Sequence, residues 1–105
     1  MCPTIVTRAS TPVLAVGAAG SRTIVNAVLN VLVQFVALDA SLEAAVAAPR
    51  IHTEGNLDLT ISAALPPADA ELLKQIGYRS SQGFVANLNA IRVDAQTGAA
   101  RAAQG

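Results

Sequence analysis

Eighteen consecutive residues, Ser21 to Leu38, contain no glycine, proline or acid, and from Ile24 onward only Asn26, Asn30 and Gln34 interrupt an apolar run. A helix that is apolar on nearly all sides sits either in a bilayer or between layers of one protein. The run is short for a bilayer, and three amides would be costly there, so no membrane span is expected. The better reading is a helix packed between a sheet and something else. Asn26, Asn30 and Gln34 are four apart and form one neutral polar stripe, expected to meet polar neighbours rather than a ligand.

The rest of the chain reads as short strands and two more helices. Thr4 to Thr7 and Pro12 to Val16 are rich in β-branched residues and are joined by Arg8-Ala9-Ser10-Thr11, a loop of hairpin length. They predict a two-stranded antiparallel ribbon. Asp39 or Ser41 can cap a helix over Leu42 to Ala48, which must stop at Pro49 because proline disfavours helical geometry just before it. Leu57 to Ile61 alternates as a strand. Pro66-Pro67 opens a third helix with Asp69 and Glu71 in its first turn and Lys74 near its end, and Gly77 stands at the expected C′ position. Phe84 to Val93 reads as a strand, with Asp94-Ala95-Gln96-Thr97-Gly98 as a hairpin turn into a final short strand. The predicted order is ββααβαββ, an α+β or layered sandwich architecture, not an alternating parallel sheet.

Composition narrows the function classes. At 105 residues the chain is expected to be a single domain or a fragment of one. With aromatics at 3% and no Trp, the core must be built from Ala, Val, Leu and Ile, and Phe35, Phe84 and Tyr78 are the only bulky rings. Seven basic and seven acidic residues cancel without clustering, so no nucleic-acid partner is expected. Cys2 stands alone, which excludes an internal disulfide or a Cys-based zinc site. Glu43, Glu54 and Asp58 are too few and too scattered for a metal site or a carboxylate pair. Met1-Cys2-Pro3-Thr4 has no basic n-region leading into an apolar one, so no export signal is expected on this chain.

Chemistry is expected where a strand-like run meets the long helix, at Gly17-Ala18-Ala19-Gly20-Ser21-Arg22. A strand entering a helix through glycines leaves unpaired backbone N–H groups aimed at one spot, which suits a phosphate or the oxyanion of acyl transfer. A dinucleotide fingerprint fails because its first glycine falls on Ala15, and no Gly-Lys-Ser/Thr motif is present for a Walker pattern. A plain structural reading is that Gly17 and Gly20 merely permit a tight turn.

Four blocks in one register add to this. Met1-x-Pro3-Thr4-Ile5-Val6, Pro12-Val13-Leu14-Ala15-Val16-Gly17-x-x-Gly20, Ile24-Val25-x-Ala27-Val28-Leu29 and Leu42-Glu43-Ala44-Ala45-Val46-x-Ala48-Pro49-Arg50-x-His52 together resemble the C-terminal part of the γ-glutamyltransferase (γ-glutamyltranspeptidase) small subunit. The family pattern there runs Ser-Ser-Met-Ser-Pro-Thr, Gly-Ser-Pro-Gly-Gly-Ser-Arg and Glu-Ala-Val-x-Ala-Pro-Arg-x-His. Leu73, Gly77-Tyr78, Ala90-Ile91 and Thr97-Gly98 extend the resemblance more loosely to the end of the chain.

The resemblance implies part of an N-terminal-nucleophile hydrolase, whose αββα sandwich holds two sheets between helix layers. In that family a precursor cleaves itself, and the freed threonine attacks the γ-glutamyl amide of glutathione-like substrates. The acyl-enzyme then passes its γ-glutamyl group to water or an amine, with no cofactor. Gly20 matches the family's first oxyanion glycine and Ser21 the second. A backbone donor survives a change of side chain, so Ser21 can serve if its backbone angles suit a residue with a Cβ. The family's Ser-Arg becomes Arg22-Thr23, which moves the guanidinium about 100° around a helix, so no role carries over to Arg22.

The nucleophilic threonine and the residues holding the substrate's α-carboxylate and α-amine lie upstream of Met1 in the family. Thr4 is no substitute, being inside a strand and without a free α-amine as base. No catalytic residue is therefore assigned, no substrate-binding residue is identified, and the chain alone is expected to be inactive. The family usually continues through Asp-Pro-Arg beyond Ala102-Ala103-Gln104-Gly105, so both ends suggest a piece of a longer protein. His52 is expected to pack or hydrogen-bond rather than catalyse, and Arg50 to anchor a salt bridge. The partners implied are the remainder of the enzyme and its γ-glutamyl substrate. Family members are commonly periplasmic, secreted or at the cell surface. Two other readings stand beside this one: a non-catalytic module that self-associates through uncovered sheet edges, and an anion-binding domain using the helix start at Gly20-Ser21-Arg22.

Overall fold

Two antiparallel strands open the chain, β1 (Thr4–Arg8) and β2 (Thr11–Ala19), as the β-branched runs predict. The computed structural model describes residues 1–94 and 96–105; Ala95, in the predicted hairpin turn, lies outside the described residues. Ala9 (φ 52°) and Ser10 (φ 67°) both take positive φ, the geometry of a two-residue loop whose twist matches that of its strands. On its other edge β2 pairs with β6 (Asn87–Val93), which pairs with β7 (Ala100–Gln104), giving an antiparallel sheet of order β1-β2-β6-β7.

A second sheet has the order β3-β4-β5, from β3 (Ile51–Thr53), β4 (Asp58–Ile61) and β5 (Arg79–Gln82). Strands β3 and β4 are antiparallel, whereas β4 and β5 are parallel and joined through α3 (Pro67–Ile76). That helix closes as expected: Gly77 is left-handed (φ 116°), and Tyr78 N–H reaches Leu73 O at 3.0 Å.

The long apolar run is three helical segments rather than one. A 3₁₀ turn (Ser21–Thr23) leads into α1 (Ile24–Leu32), and a π turn (Val33–Ala37) comes after it. The first turn is tightened because Thr23 donates twice to Gly20 O, from its N–H at 3.3 Å and its hydroxyl at 2.8 Å. The last is widened, with Leu38 N–H reaching Val33 O at 3.0 Å, and it ends where Asp39 turns to φ 54°. Asp39 therefore terminates this helix, while Ser41 caps α2 (Leu42–Ala47) by accepting Ala44 N–H at 3.1 Å.

Helices α1 and α2 cover one face of the four-stranded sheet. Leu14, Val16, Ala18, Leu88 and Ala90 meet Ala27, Val28 and Val31 of α1 and Leu42, Ala45 and Val46 of α2. The core is as thin in aromatics as the composition requires. Outward, Val25 and Leu29 of α1 are exposed at 65% and 53%. The second layer expected over this helix is thus not supplied by the described residues. The opposite face of the sheet, with Ile5 at 68% and Ile91 at 46% exposure, is also bare. Among the described residues no helix is long and apolar enough to cross a membrane.

The architecture is α+β, but its order is ββααββαβββ instead of ββααβαββ. Strand β3 has three residues, too few to show a period, and β5 is the polar run Arg-Ser-Ser-Gln, exposed throughout and held by its parallel partner. The predicted strand Phe84–Val93 begins only at Asn87, because Val85 and Ala86 give their carbonyls to Arg50 instead of to a ladder.

Candidate functional site

Strand β2 and the first helical turn meet at Gly20, where the chain can turn only without a side chain. Its φ is 151°, and a Cβ there would lie 2.7 Å from Ala86 Cα and 3.0 Å from Phe84 Cε1. Gly17 plays no such part: it lies within β2 opposite Asn89, and a Cβ on it would meet nothing closer than Met1 O at 3.9 Å. The predicted glycine turn therefore reduces to Gly20 and its neighbour Ser21.

Ser21 has φ 56°. This is the left-handed region, open to a residue with a Cβ but favoured by glycine. Ladder pairing in β2 ends at Ala19–Asn87, and neither Gly20 N–H nor Ser21 N–H has an acceptor among the described residues. Two consecutive donors stand free at the start of a helix, as an oxyanion or another anionic oxygen requires.

A line of polar side chains runs beside the turn. Arg22 pairs with Glu54 at 3.2 Å, and Glu54 faces His52 Nε2 at 3.5 Å. Asn26 Nδ2 lies 2.9 Å from His52 Nδ1 and donates to Thr53 O at 3.2 Å. Because a carbonyl can only accept, the Thr53 contact fixes the amide nitrogen on this side. Nδ1 is then the acceptor, and the ring carries its proton on Nε2, toward Glu54. His52 is buried and hydrogen-bonded through Nδ1, with Glu54 facing Nε2, so it packs and hydrogen-bonds as expected. Asn30 continues the stripe by donating to Ile51 O at 3.2 Å, and two members of the predicted polar row thus dock β3 onto α1.

Arg50 departs from expectation. It is buried, yet its guanidinium pairs with no carboxylate among the described residues. Nε donates to Val85 O at 3.0 Å, Nη1 to Val46 O at 2.9 Å and Nη2 to Ala86 O at 3.1 Å. Burial pulls its pKa below the ordinary guanidinium range. The anchor is real, but it holds backbone rather than an acid. Ala86, which no sequence motif singles out, forms the ledge under Gly20, with the Phe84 ring beside it and Val85 between the two in sequence. The one sequence sign of that ledge is Gly83-Phe84-Val85-Ala86 itself, where a glycine precedes an apolar run.

Thr4 begins β1 opposite Val16, and its hydroxyl donates to Cys2 O at 3.1 Å. Among the described residues no three His, Cys, Asp or Glu side chains come together as a metal site.

Comparison with known proteins gives the family and the fold. A family model described as gamma-glutamyltranspeptidase matches residues 1–104. Two curated relatives, glutathione hydrolase proenzymes of Bacillus subtilis subsp. natto and of Bacillus subtilis strain 168, are 31% and 30% identical over 100 residues. The match covers 93% of this chain and 17% of each relative's length. Among solved structures, gamma-glutamyltranspeptidase from Pseudomonas nitroreducens complexed with L-DON superposes with a TM-score of 0.87 at 30% identity, over 99% of this chain and 56% of that one. The Helicobacter pylori gamma-glutamyltranspeptidase T380A mutant gives 0.87 at 28% identity, over 100% of this chain and 58% of that one. The Bacillus anthracis transpeptidase CapD shares the fold at 16% identity with a TM-score of 0.79.

Proposed function

The chain belongs to the gamma-glutamyltranspeptidase family, and from that premise we propose that it forms the C-terminal part of a γ-glutamyltransferase and supplies the oxyanion turn. The enzyme so completed moves the γ-glutamyl group of a glutathione-like substrate to water or an amine through an acyl-threonine carried on another segment. The observation that carries this reading is the pair of free N–H groups on Gly20 and Ser21, with Gly20 packed on Ala86; the resemblance read from the sequence matches these two positions to the family's paired glycines. As the tetrahedral intermediate forms, its carbonyl oxygen becomes an anion, and two fixed N–H dipoles stabilise it without reorganising.

The remainder of the enzyme is then the natural partner, and residues 1–105 act as one folded unit within it. The chain spans 17% of the curated relatives it matches. Its bare sheet face, with Ile5 and Ile91 exposed, supports a partner of this kind. The same face supports the second reading, in which the isolated chain pairs with copies of itself.

A chromogenic γ-glutamyl substrate tests the proposal. The chain alone should give no turnover above blank, whereas the chain joined to a segment bearing the nucleophile should be active. In that assembly Gly20→Ala keeps the N–H, but its Cβ would meet Ala86 Cα at 2.7 Å and push the donor out of place, so kcat should fall by about 100- to 1000-fold, the usual cost of losing one oxyanion donor. Turnover by the chain alone, or full activity of the assembled Gly20→Ala variant, overturns it.

A further inference from the structure

We infer that Arg50 is the positioning residue of the Gly20–Ser21 turn, acting through the Val85–Ala86 segment and not through any contact with substrate; this rests on the oxyanion reading of that turn. The guanidinium is placed for it. Two of its three hydrogen bonds end on consecutive carbonyls, Val85 O and Ala86 O, and the third returns to Val46 O at the end of α2. The fork of a guanidinium reaches divergent acceptors that the point charge of a lysine cannot reach together. Arg50 therefore ties the segment 85–86 to α2.

Ala86 of that segment is the surface on which Gly20 rests. Ala86 Cα and Cβ lie 2.7 and 3.0 Å from where a Gly20 Cβ would be, and Ala86 itself is held at φ 52°. Between the ladder pair Ala19–Asn87 and this ledge, the position of Gly20 N–H is defined from both sides. Removing the tie lets Ala86 leave its left-handed conformation, and Gly20 loses the surface that fixes its N–H.

Stability alone gives no account of a cation in this place. A buried charge costs desolvation, and carbonyl dipoles return less than a carboxylate would. The same burial pulls its pKa below the ordinary guanidinium range. What Arg50 gains for the molecule is geometry: the end of α2 at Val46 and the distant pair Val85–Ala86 are fixed at one point, and Ala86 is the residue against which Gly20 packs.

Arg50→Lys and Ala86→Gly in the full chain, with every segment encoded alongside it, separate the possibilities. Hydrogen exchange read on the peptide spanning Gly17–Thr23 reports the turn, and steady-state kinetics with a γ-glutamyl substrate report its use. Arg50→Lys should accelerate exchange in that peptide and lower kcat by about 10- to 100-fold, as small misplacements of reacting groups do, with KM within about threefold. Ala86→Gly keeps the arginine and suits the positive φ, so it folds; it should produce the same split more weakly. Unchanged exchange in both variants overturns the inference, as does a rise in KM at constant kcat, which would make Arg50 a substrate ligand. Faster exchange with unaltered kcat upholds the tie and overturns the oxyanion reading instead.

Discussion

Gly20 and Ser21 ask opposite things of their side chains. At Gly20 a methyl group meets backbone at 2.7 Å and must also accept φ 151°. Strain and overpacking of this kind each cost about 1–3 kcal/mol, so Gly20→Ala should destabilise by about 2–4 kcal/mol, seen as a lower urea midpoint at unchanged slope. At Ser21 the side chain is already present at φ 56°. A left-handed residue with a Cβ bears about 1–2 kcal/mol of strain, and glycine gives back part of the relief as unfolded-state entropy. Ser21→Gly should therefore stabilise by about 0.5–1 kcal/mol, and in the assembled enzyme it should raise kcat rather than lower it. A loss of stability there would mean that the serine side chain makes a contact worth more than its strain. The family's paired glycines pointed to these positions from sequence alone, whereas nothing local distinguished Gly20 from Gly17. That difference lies in Ala86, a residue 66 positions away in sequence.

At the scale of elements, the parts with strong local signals were legible and the parts made by pairing were not. Ser41, Pro49, Pro66-Pro67 and Gly77 each do locally what their chemistry predicts. Strand β5 has no such signal: Arg-Ser-Ser-Gln becomes a strand because β4 lies beside it and Arg79 pairs with Asp58 at 2.7 Å. This pair makes the small sheet sensitive to acid. The Arg79 hydrogen bond, with its charge, holds the Asp58 carboxyl below the usual range. Its contribution is thus present above the unfolded carboxylate pKa of about 3.9 and is lost as pH falls through the folded value. Melting temperature against pH should show an acid limb that is shallower in Asp58→Asn; equal limbs would remove the pair from the account. The β1–β2 hairpin offers a second test. Ala9 and Ser10 occupy two positive-φ sites that Asn-Gly fills without strain. The double change Ala9→Asn and Ser10→Gly should raise stability by about 1 kcal/mol in chemical denaturation.

The whole molecule carries more surface than its mass accounts for. A compact monomer of 10.7 kDa exposes about 5,500 Å², whereas this chain exposes 6558 Å². Its radius of gyration of 14.6 Å likewise exceeds the roughly 13 Å of a compact domain of this length. The excess of roughly 1,000 Å² is about what one partner buries in a standard interface. It is apolar in two places, the outer side of α1 at Val25 and Leu29 and the bare sheet face at Ile5 and Ile91. A concavity of about 630 Å³ on that sheet face is bordered by Pro3, Ile5, Ala15, Ile91 and Ala102. The all-round apolarity of Ser21–Leu38 therefore announced a layer that the described residues do not contain, and a 105-residue sequence can state such a need without naming what meets it. Surfaces of this size and character drive association when nothing else covers them. Produced alone, the chain should sediment as a dimer or larger at tens of micromolar, roughly the range such an area supports in the absence of optimised contacts. Ile91→Lys places a charge at the centre of the bare face without touching the buried side of β6, so it should yield monomers with the same circular dichroism. A wild-type chain that sediments as a monomer and unfolds cooperatively would show that the thin core suffices alone, and the bare face would then need no partner.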